Sequence, residues 1–400
     1  MDVTTPLALL GGQSPVQVMR RHWHKKPLLV RQALPGVQPP VARAELFELA
    51  SKEDVESRLV VRARGAWKLA HGPFSHRSLP PLSRPAWTLL VQGLDLHVPA
   101  AHELLSRFRF VPDARLDDVM VSYASDGGGV GPHLDAYDVF LIQVQGRRHW
   151  RIGRVRDDRL VAGVPLKILQ HFEPEQEWVL EPGDMLYLPP RWGHDGAAVG
   201  GDCMTCSVGF RSPSRAELAA DLLARLADVE VDAWGKPGAQ RYRDPTQAAT
   251  PTPGELPGEL LAFAREAGQR ALAEPGRLET VLGEWLTEPK PRVWFEPALA
   301  LEAGEGVRLD ARTRMMYDRR HVFINGESFR AGGRDARLMR LLSDARQLDA
   351  RQLAELSPEA RELLDEWVCA GWLLAVQTAE AQAWAEADGG PAWVHGKAPS

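Results

Sequence analysis

The run Gly127-Gly128-Gly129-Val130-Gly131-Pro132 leads directly into His133-Leu134-Asp135. Glycines lack a Cβ and let backbone segments approach closely. In a strand, residues i and i+2 point to one face, so His133 and Asp135 can reach one metal from one strand. A second histidine, His194, follows Pro182-Gly183-Asp184, the apolar stretch Met185-Leu186-Tyr187-Leu188, and Pro189-Pro190. A turn, a strand and a turn are expected to deliver it. Two histidines and one carboxylate on one face of an octahedron hold Fe(II) and leave the remaining positions open. The open positions suit a bidentate co-substrate plus O2. This pattern constrains the fold, because the third donor has to come from another strand. His-x-Asp alone is a weak signal, and unrelated surface histidines are the simpler alternative. The glycine run and the β-rich Val139-Phe140-Leu141-Ile142-Gln143-Val144 after it argue against that alternative.

Gly146-Arg147 reads as a two-residue hairpin turn. The strand after it places Arg148, Trp150 and Ile152 on one face, and two of these are large and apolar. That face is expected to point inward, which makes Arg148 an inward cation in need of an anionic partner. A dicarboxylate on the iron would supply one, held bidentately. The alternative, with Arg151 inward, conflicts with Trp150 and Ile152.

Strand signals run at Val119–Tyr123, Asp138–Val144, Arg148–Ile152, Trp178–Leu180, Met185–Leu188 and Met204–Phe210. Many short strands with Gly and Pro turns indicate a barrel or sandwich. Before them come a helix at Val16–Trp23, a strand at Lys26–Val30, a helix at Val41–Leu49, a strand at Arg58–Arg64, an apolar run at Trp87–Gln92 and a helix at Pro99–Arg109, all expected to flank the barrel. His22 and His24 flank Trp23, and surface histidines beside a packing Trp are the expected reading. After residue 212 the period changes. Leu218, Leu222, Leu223 and Leu226 mark an amphipathic helix, a proline-rich loop follows (Pro237, Pro245, Pro251, Pro253, Pro257), and helices are expected at Glu259–Leu272 and Leu278–Leu286. Residues from 289 on combine strands at Thr313–Tyr317 and His321–Ile324, an Asn325-Gly326 turn, and helices at Ala336–Leu342, Arg351–Leu356 and Pro358–Leu374. Arginines outnumber acids there, though Asp310, Asp318, Glu327, Asp335 and Asp344 are interleaved. A patch touching RNA and a solvated surface both fit.

The segment from Arg115 through the glycine run, His133-Leu134-Asp135, Tyr137-Asp138-Val139-Phe140, Gly146-Arg147-Arg148 and Trp150 resembles the bacterial ribosomal oxygenases. The likeness continues at Val55–Val60, His71-Gly72-Pro73-Phe74 and Cys206–Arg211, and covers most of the chain. These are JmjC-type cupins that use iron and 2-oxoglutarate. The resemblance implies a mixed α+β chain, with a double-stranded β-helix in a catalytic domain over residues 1–212. A helical dimerisation region at 213–288, a winged-helix-like domain at 289–378 and a tail at 379–400 would follow. It implies that Ser122 and Arg148 bind 2-oxoglutarate; Ser207, on the closing strand, is a weaker candidate. It also implies a homodimer, and as substrate a side-chain carbon of a large-subunit ribosomal protein, an arginine of protein sixteen. Histidine hydroxylation and N-methyl-lysine demethylation are the nearest rivals. A non-catalytic cupin that binds ribosomal protein or RNA is a rival of another class, but it has no need of an intact triad and an inward Arg. A zinc or manganese cupin isomerase usually wants more histidines. Asp126 and Tyr137 border the metal motif and are placed to meet a cationic side chain.

At 400 residues, two or three domains are expected. With 44% hydrophobic and 25% charged residues the chain fits an ordinary globular protein. A net charge of −5 gives no general reason for nucleic-acid binding except through a ribosome. No apolar run is long enough to span a membrane, and Met1 to Gly12 has no basic region of a signal peptide. Three cysteines, Cys203, Cys206 and Cys369, fit a reducing cytoplasm. Cys203 and Cys206 form C-x-x-C without a second pair, so packing is the expected role.

Overall fold

The structure, a computed structural model, describes residues 2–232, 241–245, 249, 254, 256–302 and 304–376. The prolines Pro237, Pro251 and Pro253 and the tail at 379–400 lie outside these residues. The first half of the chain is strand-rich: β1 (Leu28–Val30), β2 (Ser57–Ala63), β3 (Ala66–His71), β4 (Trp87–Val91), β5 (Leu116–Ala124), β6 (His133–Leu134), β7 (Val139–Gln145), β8 (Arg148–Arg154), β9 (Gln176–Leu180), β10 (Met185–Leu188), β11 (Trp192–Ala198) and β12 (Cys203–Phe210). An eight-stranded sheet takes the order β1-β10-β7-β12-β5-β4-β2-β3, and a four-stranded sheet takes β6-β11-β8-β9. Helices α1 (Pro15–Arg21), α2 (Arg43–Leu49) and α3 (Pro99–Ser106) are interspersed.

The segments expected only to flank the barrel are built into it. β4 pairs with β5 and β2 with β4, while β1 pairs with β10 at the far edge. The reason is apolar burial: every residue of β4 is buried. Trp87, Tyr123, Phe140, Tyr187 and Phe210 are sealed in one core with residues of α1, α2 and α3. Burying each such ring is worth about 1.5–3 kcal/mol. Trp23 stacks on Tyr187 with ring centroids 5.9 Å apart. His24 Nε2 lies 2.9 Å from the buried Asp138, whose other oxygen accepts the Tyr187 hydroxyl at 2.6 Å. His24 thus anchors the N-terminal helix turn to the barrel. Cys203 and Cys206 are free and buried within β12.

Helices α4 (Arg215–Asp232), α5 (Gly258–Ala273) and α6 (Arg277–Thr287) follow. Leu222 and Leu226 of α4 pack on Val281 of α6, and α5 buries no residue. The last unit holds β13 (Gly306–Leu309), β14 (Met315–Tyr317), β15 (His321–Ile324), β16 (Glu327–Arg330), α7 (Gly333–Ala345), β17 (Gln347–Leu348), α8 (Ala350–Leu353), α9 (Pro358–Cys369) and β18 (Leu373–Val376) around its own core. Helical spacing alone extends α9 to Leu374; the structure ends it at Cys369. Gly371 turns the chain in the left-handed region (φ 76°), and Leu373–Val376 pairs instead with the edge of β13. Polar links fasten this unit to the barrel. Lys290 Nζ donates to the Asp117 carbonyl at 2.8 Å, and Arg109 donates to the carbonyls of Asp344 and Ser343 at 2.7 and 2.9 Å.

Candidate active site

His133 and His194 are direct partners across β6 and β11. Their rings lie 4.1 Å apart between centroids. Asp135 follows β6, and its Oδ2 is 3.5 Å from His194 Nε2. One donor atom from each of the three lies within 4.8 Å of the others. The sequence reading delivered His194 from a turn; the structure places it inside β11. Trp192-Gly193-His194-Asp195-Gly196-Ala197-Ala198 is poor in strand formers, and pairing on both sides with β6 and β8 imposes the strand.

Each imidazole is oriented by its backbone. His133 Nδ1 lies 2.9 Å from the Gly131 carbonyl and His194 Nδ1 lies 3.2 Å from the Trp192 carbonyl. With Nδ1–H donating to a carbonyl, Nε2 keeps its lone pair for a metal. Burial, reinforced by the neighbouring His133, pushes His194 down to about 4, so it is neutral at pH 7 as a ligand must be. The glycine run fits for a steric reason. A Cβ on Gly129 would sit 2.4 Å from the Gly196 carbonyl, and Gly131 takes φ 77°. Two imidazoles and one carboxylate converging from one side are a donor set that suits Fe(II) and leaves other positions free.

Arg148 lies on β8 with Trp150 and Ile152, and all three are buried. Its guanidinium crosses from the smaller sheet to the larger. Nη1 donates to Ser122 Oγ on β5 at 3.1 Å and to Thr205 Oγ1 on β12 at 3.4 Å, and Nη2 donates to the Gly196 carbonyl at 3.2 Å. Thr205 in turn donates to Gln143 Oε1 at 2.9 Å. Arg148 Nε has no partner, and no carboxylate pairs with this guanidinium among the described residues. Burial drives its pKa down. Ser207, two residues along β12 from Thr205, is buried but is not among Arg148's partners. Thr205 and Gln143 were missed in the sequence, where a hydroxyl on a closing strand could be assigned only by alternation. Gly196 was missed as well: a Cβ there would lie 2.6 Å from the Trp150 ring and 2.8 Å from Arg148 Nε.

Of the two residues placed near the metal motif for a cationic side chain, Asp126 is engaged elsewhere. Its Oδ1 accepts the amides of Gly200 and Gly201 at 3.0 and 3.2 Å, which fixes a loop. Tyr137 lines an open cleft of about 390 Å³ with Asp117, Phe210, Arg211, Trp285 and Lys290. Burial and the charges of Asp135 and Asp118 drive its phenol pKa upward. Asp118 itself is pushed up to about 6, chiefly by burial, and its Oδ2 accepts the Gly93 amide at 3.0 Å.

Residues 103–218 match the JmjC domain, and residues 269–374 match the ROXA-like winged helix. The chain is 34% identical over 330 residues to the ribosomal protein uL16 3-hydroxylase of Escherichia coli, spanning 80% of this chain and 86% of that protein. It is 38% identical over 210 residues to a probable ribosomal oxygenase of Haemophilus influenzae, about half of each chain. The solved structure of E. coli YcfD superposes with a TM-score of 0.79 at 30% identity, covering 90% of this chain and 97% of that one. A second YcfD structure, in complex with cobalt and 2-oxoglutarate, superposes at 0.75 with the same identity and coverage. With its three-donor cluster and buried arginine inside a barrel that so closely matches these proteins, this chain belongs to the JmjC-domain ribosomal oxygenases.

Proposed function

We propose that the chain is an Fe(II)- and 2-oxoglutarate-dependent oxygenase that hydroxylates an arginine side chain of the large-subunit ribosomal protein uL16. The observation that carries this reading is Arg148: a buried guanidinium with no carboxylate partner among the described residues, linked to the three-donor cluster through the Trp150 ring, which lies against both Arg148 and His194. A buried cation calls for an anion, and the far carboxylate of a dicarboxylate supplies one. His133, Asp135 and His194 would hold the iron, while Arg148 with Ser122 and Thr205 would hold 2-oxoglutarate. With Fe(II) and 2-oxoglutarate held by these residues, the site would be supplied with O2-activating chemistry that adds one oxygen atom to a target carbon.

The chain's own residues position and exclude. The backbone carbonyls of Gly131 and Trp192 aim the imidazoles. Trp150 walls the site, with its ring 5.0 Å from the Arg148 guanidinium and 5.9 Å from the His194 ring. Gly196 leaves room for both. The C–H step asks for no side-chain acid or base. Asp117 is already paired with Lys290 and Arg211. Asp118, whose charge acts on Tyr137 and which burial raises to about 6, is the carboxylate that would gain from a cationic substrate side chain.

The helical region is read as a homodimer interface. Leu223 of α4 and Leu260, Leu261 and Leu272 of α5 are exposed, and a second copy would cover them. Sedimentation of a Leu261→Glu variant as a monomer beside a wild-type dimer would support this; a wild-type monomer would remove it. A cytoplasmic location follows from a ribosomal substrate.

The test of function is the intact mass of ribosomal proteins from cells with and without the gene, with His133→Ala as the rescue control. The expected product carries one added oxygen, roughly 16 Da, on uL16 only, absent from the knockout and from the His133→Ala rescue. Formaldehyde release would point to demethylation instead, and no mass change on any ribosomal protein would remove the ribosomal target.

A further inference from the structure

A half-open, charge-rich cavity lies at the seam between the barrel and the C-terminal unit, remote in sequence from the donor cluster. Its volume is about 70 Å³, several times the ~15 Å³ that one water needs. The barrel side contributes His102 of α3, Arg109 and Asp95, and the far side contributes Arg312, Arg314 and Arg346. Most of the charges in its wall are already matched. Arg109 pairs with Asp113, Lys290 with Asp117, and Arg312 with Asp310. Arg314 and Arg346 are different: neither has a carboxylate partner among the described residues. Arg314 uses Nε on the Leu286 carbonyl at 3.1 Å, and Arg346 uses Nη2 on the carbonyls of Asp310 and Thr313 at 2.7 and 3.2 Å. Both guanidinium-bearing residues line the cavity.

A second, independent sign is His102. Its Nδ1 is buried and has no hydrogen-bond partner, although buried polar groups are nearly always paired. A guest that carries both acceptor and donor character would satisfy it. Arg346 also holds a left-handed backbone (φ 59°) just after α7, a conformation uncommon for a residue of this kind.

We propose that this seam cavity is a binding site for a small oxyanion of the phosphate class, held by Arg314 and Arg346 and by His102 Nδ1. Two guanidinium forks match a tetrahedral oxyanion through charge-assisted hydrogen bonds. Its protonated oxygen would donate to a neutral imidazole, and burial keeps His102 neutral by pushing it down to about 3. Asp95, the acid in the wall without an ion-pair partner among the described residues, accepts the Val119 amide at 2.8 Å and is raised by burial, so it opposes the guest weakly. A guest touching residues of both units would stabilise their docking by mass action.

Inorganic phosphate titrated calorimetrically into the full-length chain is the test, with Arg148→Met in parallel because it removes the barrel's own unpaired cation. One saturable site of equal affinity in both chains is expected, with a rise in Tm on adding phosphate. Affinity should fall at least about tenfold in Arg314→Gln, through loss of charge-assisted bonds, and stay unchanged in Arg334→Gln, which removes an exposed charge on α7. If Arg314→Gln does not fold, His102→Phe, which removes Nδ1 without changing charge, takes its place with weakening again expected. Absence of saturable binding in the wild-type chain, loss of binding in Arg148→Met, or equal weakening in Arg334→Gln would each overturn the proposal.

Discussion

Arg148 Nη1 donates to Ser122 Oγ at 3.1 Å across the space between the two sheets, and the pair is sealed from solvent without a counter-charge. A buried guanidinium bound only to hydroxyls and one carbonyl is a cost to the empty fold. Replacing such a charge with an apolar side chain of similar length is often neutral or stabilising. Arg148→Met is therefore expected to melt no lower than wild type in the absence of ligand. Its 2-oxoglutarate affinity should fall roughly 30-fold or more, since the co-substrate's far carboxylate loses a buried partner. Thermal shift with and without 2-oxoglutarate reads both. A variant that melts several degrees lower yet keeps its ligand-induced shift would contradict the assignment.

Gly196→Ala tests how closely the site is packed. The added methyl would meet the Trp150 ring at 2.6 Å and Arg148 Nε at 2.8 Å. Such overpacking costs about 1–3 kcal/mol. Chemical denaturation should show a loss in that range, together with a higher KM for 2-oxoglutarate as the guanidinium is displaced. Full stability with unchanged KM would mean that the strand shifts freely, against the paired register of β11 with β8.

Asp118→Asn separates target recognition from co-substrate turnover. The amide oxygen can still accept from Gly93, and removing a buried carboxylate that burial raises to about 6 costs the fold little. Turnover of 2-oxoglutarate without substrate should persist. Its stimulation by an arginine-containing uL16 fragment should drop at least about tenfold, as expected when an ionised partner is lost from a charge-assisted contact. Equal stimulation of wild type and variant would take Asp118 out of substrate binding.

Acid should weaken the protein partly through His102. Burial first, then the charges of Arg346 and Arg109, hold its folded pKa at about 3, below the ordinary 6.5. The unfolded chain therefore binds the extra proton first. Stability from this group is full above about pH 6.5 and is lost as pH falls toward 3, by at most about 1.4 kcal/mol per pH unit. Asp118 acts in the opposite sense, because its raised pKa favours the folded state as pH drops. The comparison has to be with a His102→Gln variant, whose urea-derived stability should decline less between pH 7 and 5 than that of wild type. Parallel declines would show that His102 is not the group responsible.

The periodic and turn-coded parts of the chain were legible from residues alone. Alternation put Arg148, Trp150 and Ile152 inward. Gly146-Arg147 marked the turn between β7 and β8, with Gly146 at φ 64°, but the two strands enter different sheets and do not pair as the expected hairpin. The i,i+2 geometry joined His133 to Asp135. Helical spacing found α4, α5 and α6 closely. In each case the signal is local, because the side chain's direction follows from backbone period and turn type.

Other features were decided only by tertiary packing. β11 is a strand because β6 and β8 flank it, although its glycines, alanines and aspartate have little strand preference. β18 is a strand because Gly371 ends α9 and β13 offers an open edge. Thr205 and Gln143 join Arg148 through cross-strand register, which no single strand encodes. Asp126 was close to the metal motif in sequence, yet the fold commits it to a loop; Asp118 lay on an earlier strand, yet the fold brings it beside Tyr137. The cavity of Arg314, Arg346 and His102 exists only because two separately folded units meet. Local chemistry fixes which side chains can serve and which way each strand turns them. Which of them meet is set by long-range burial and pairing, and that requires the whole core.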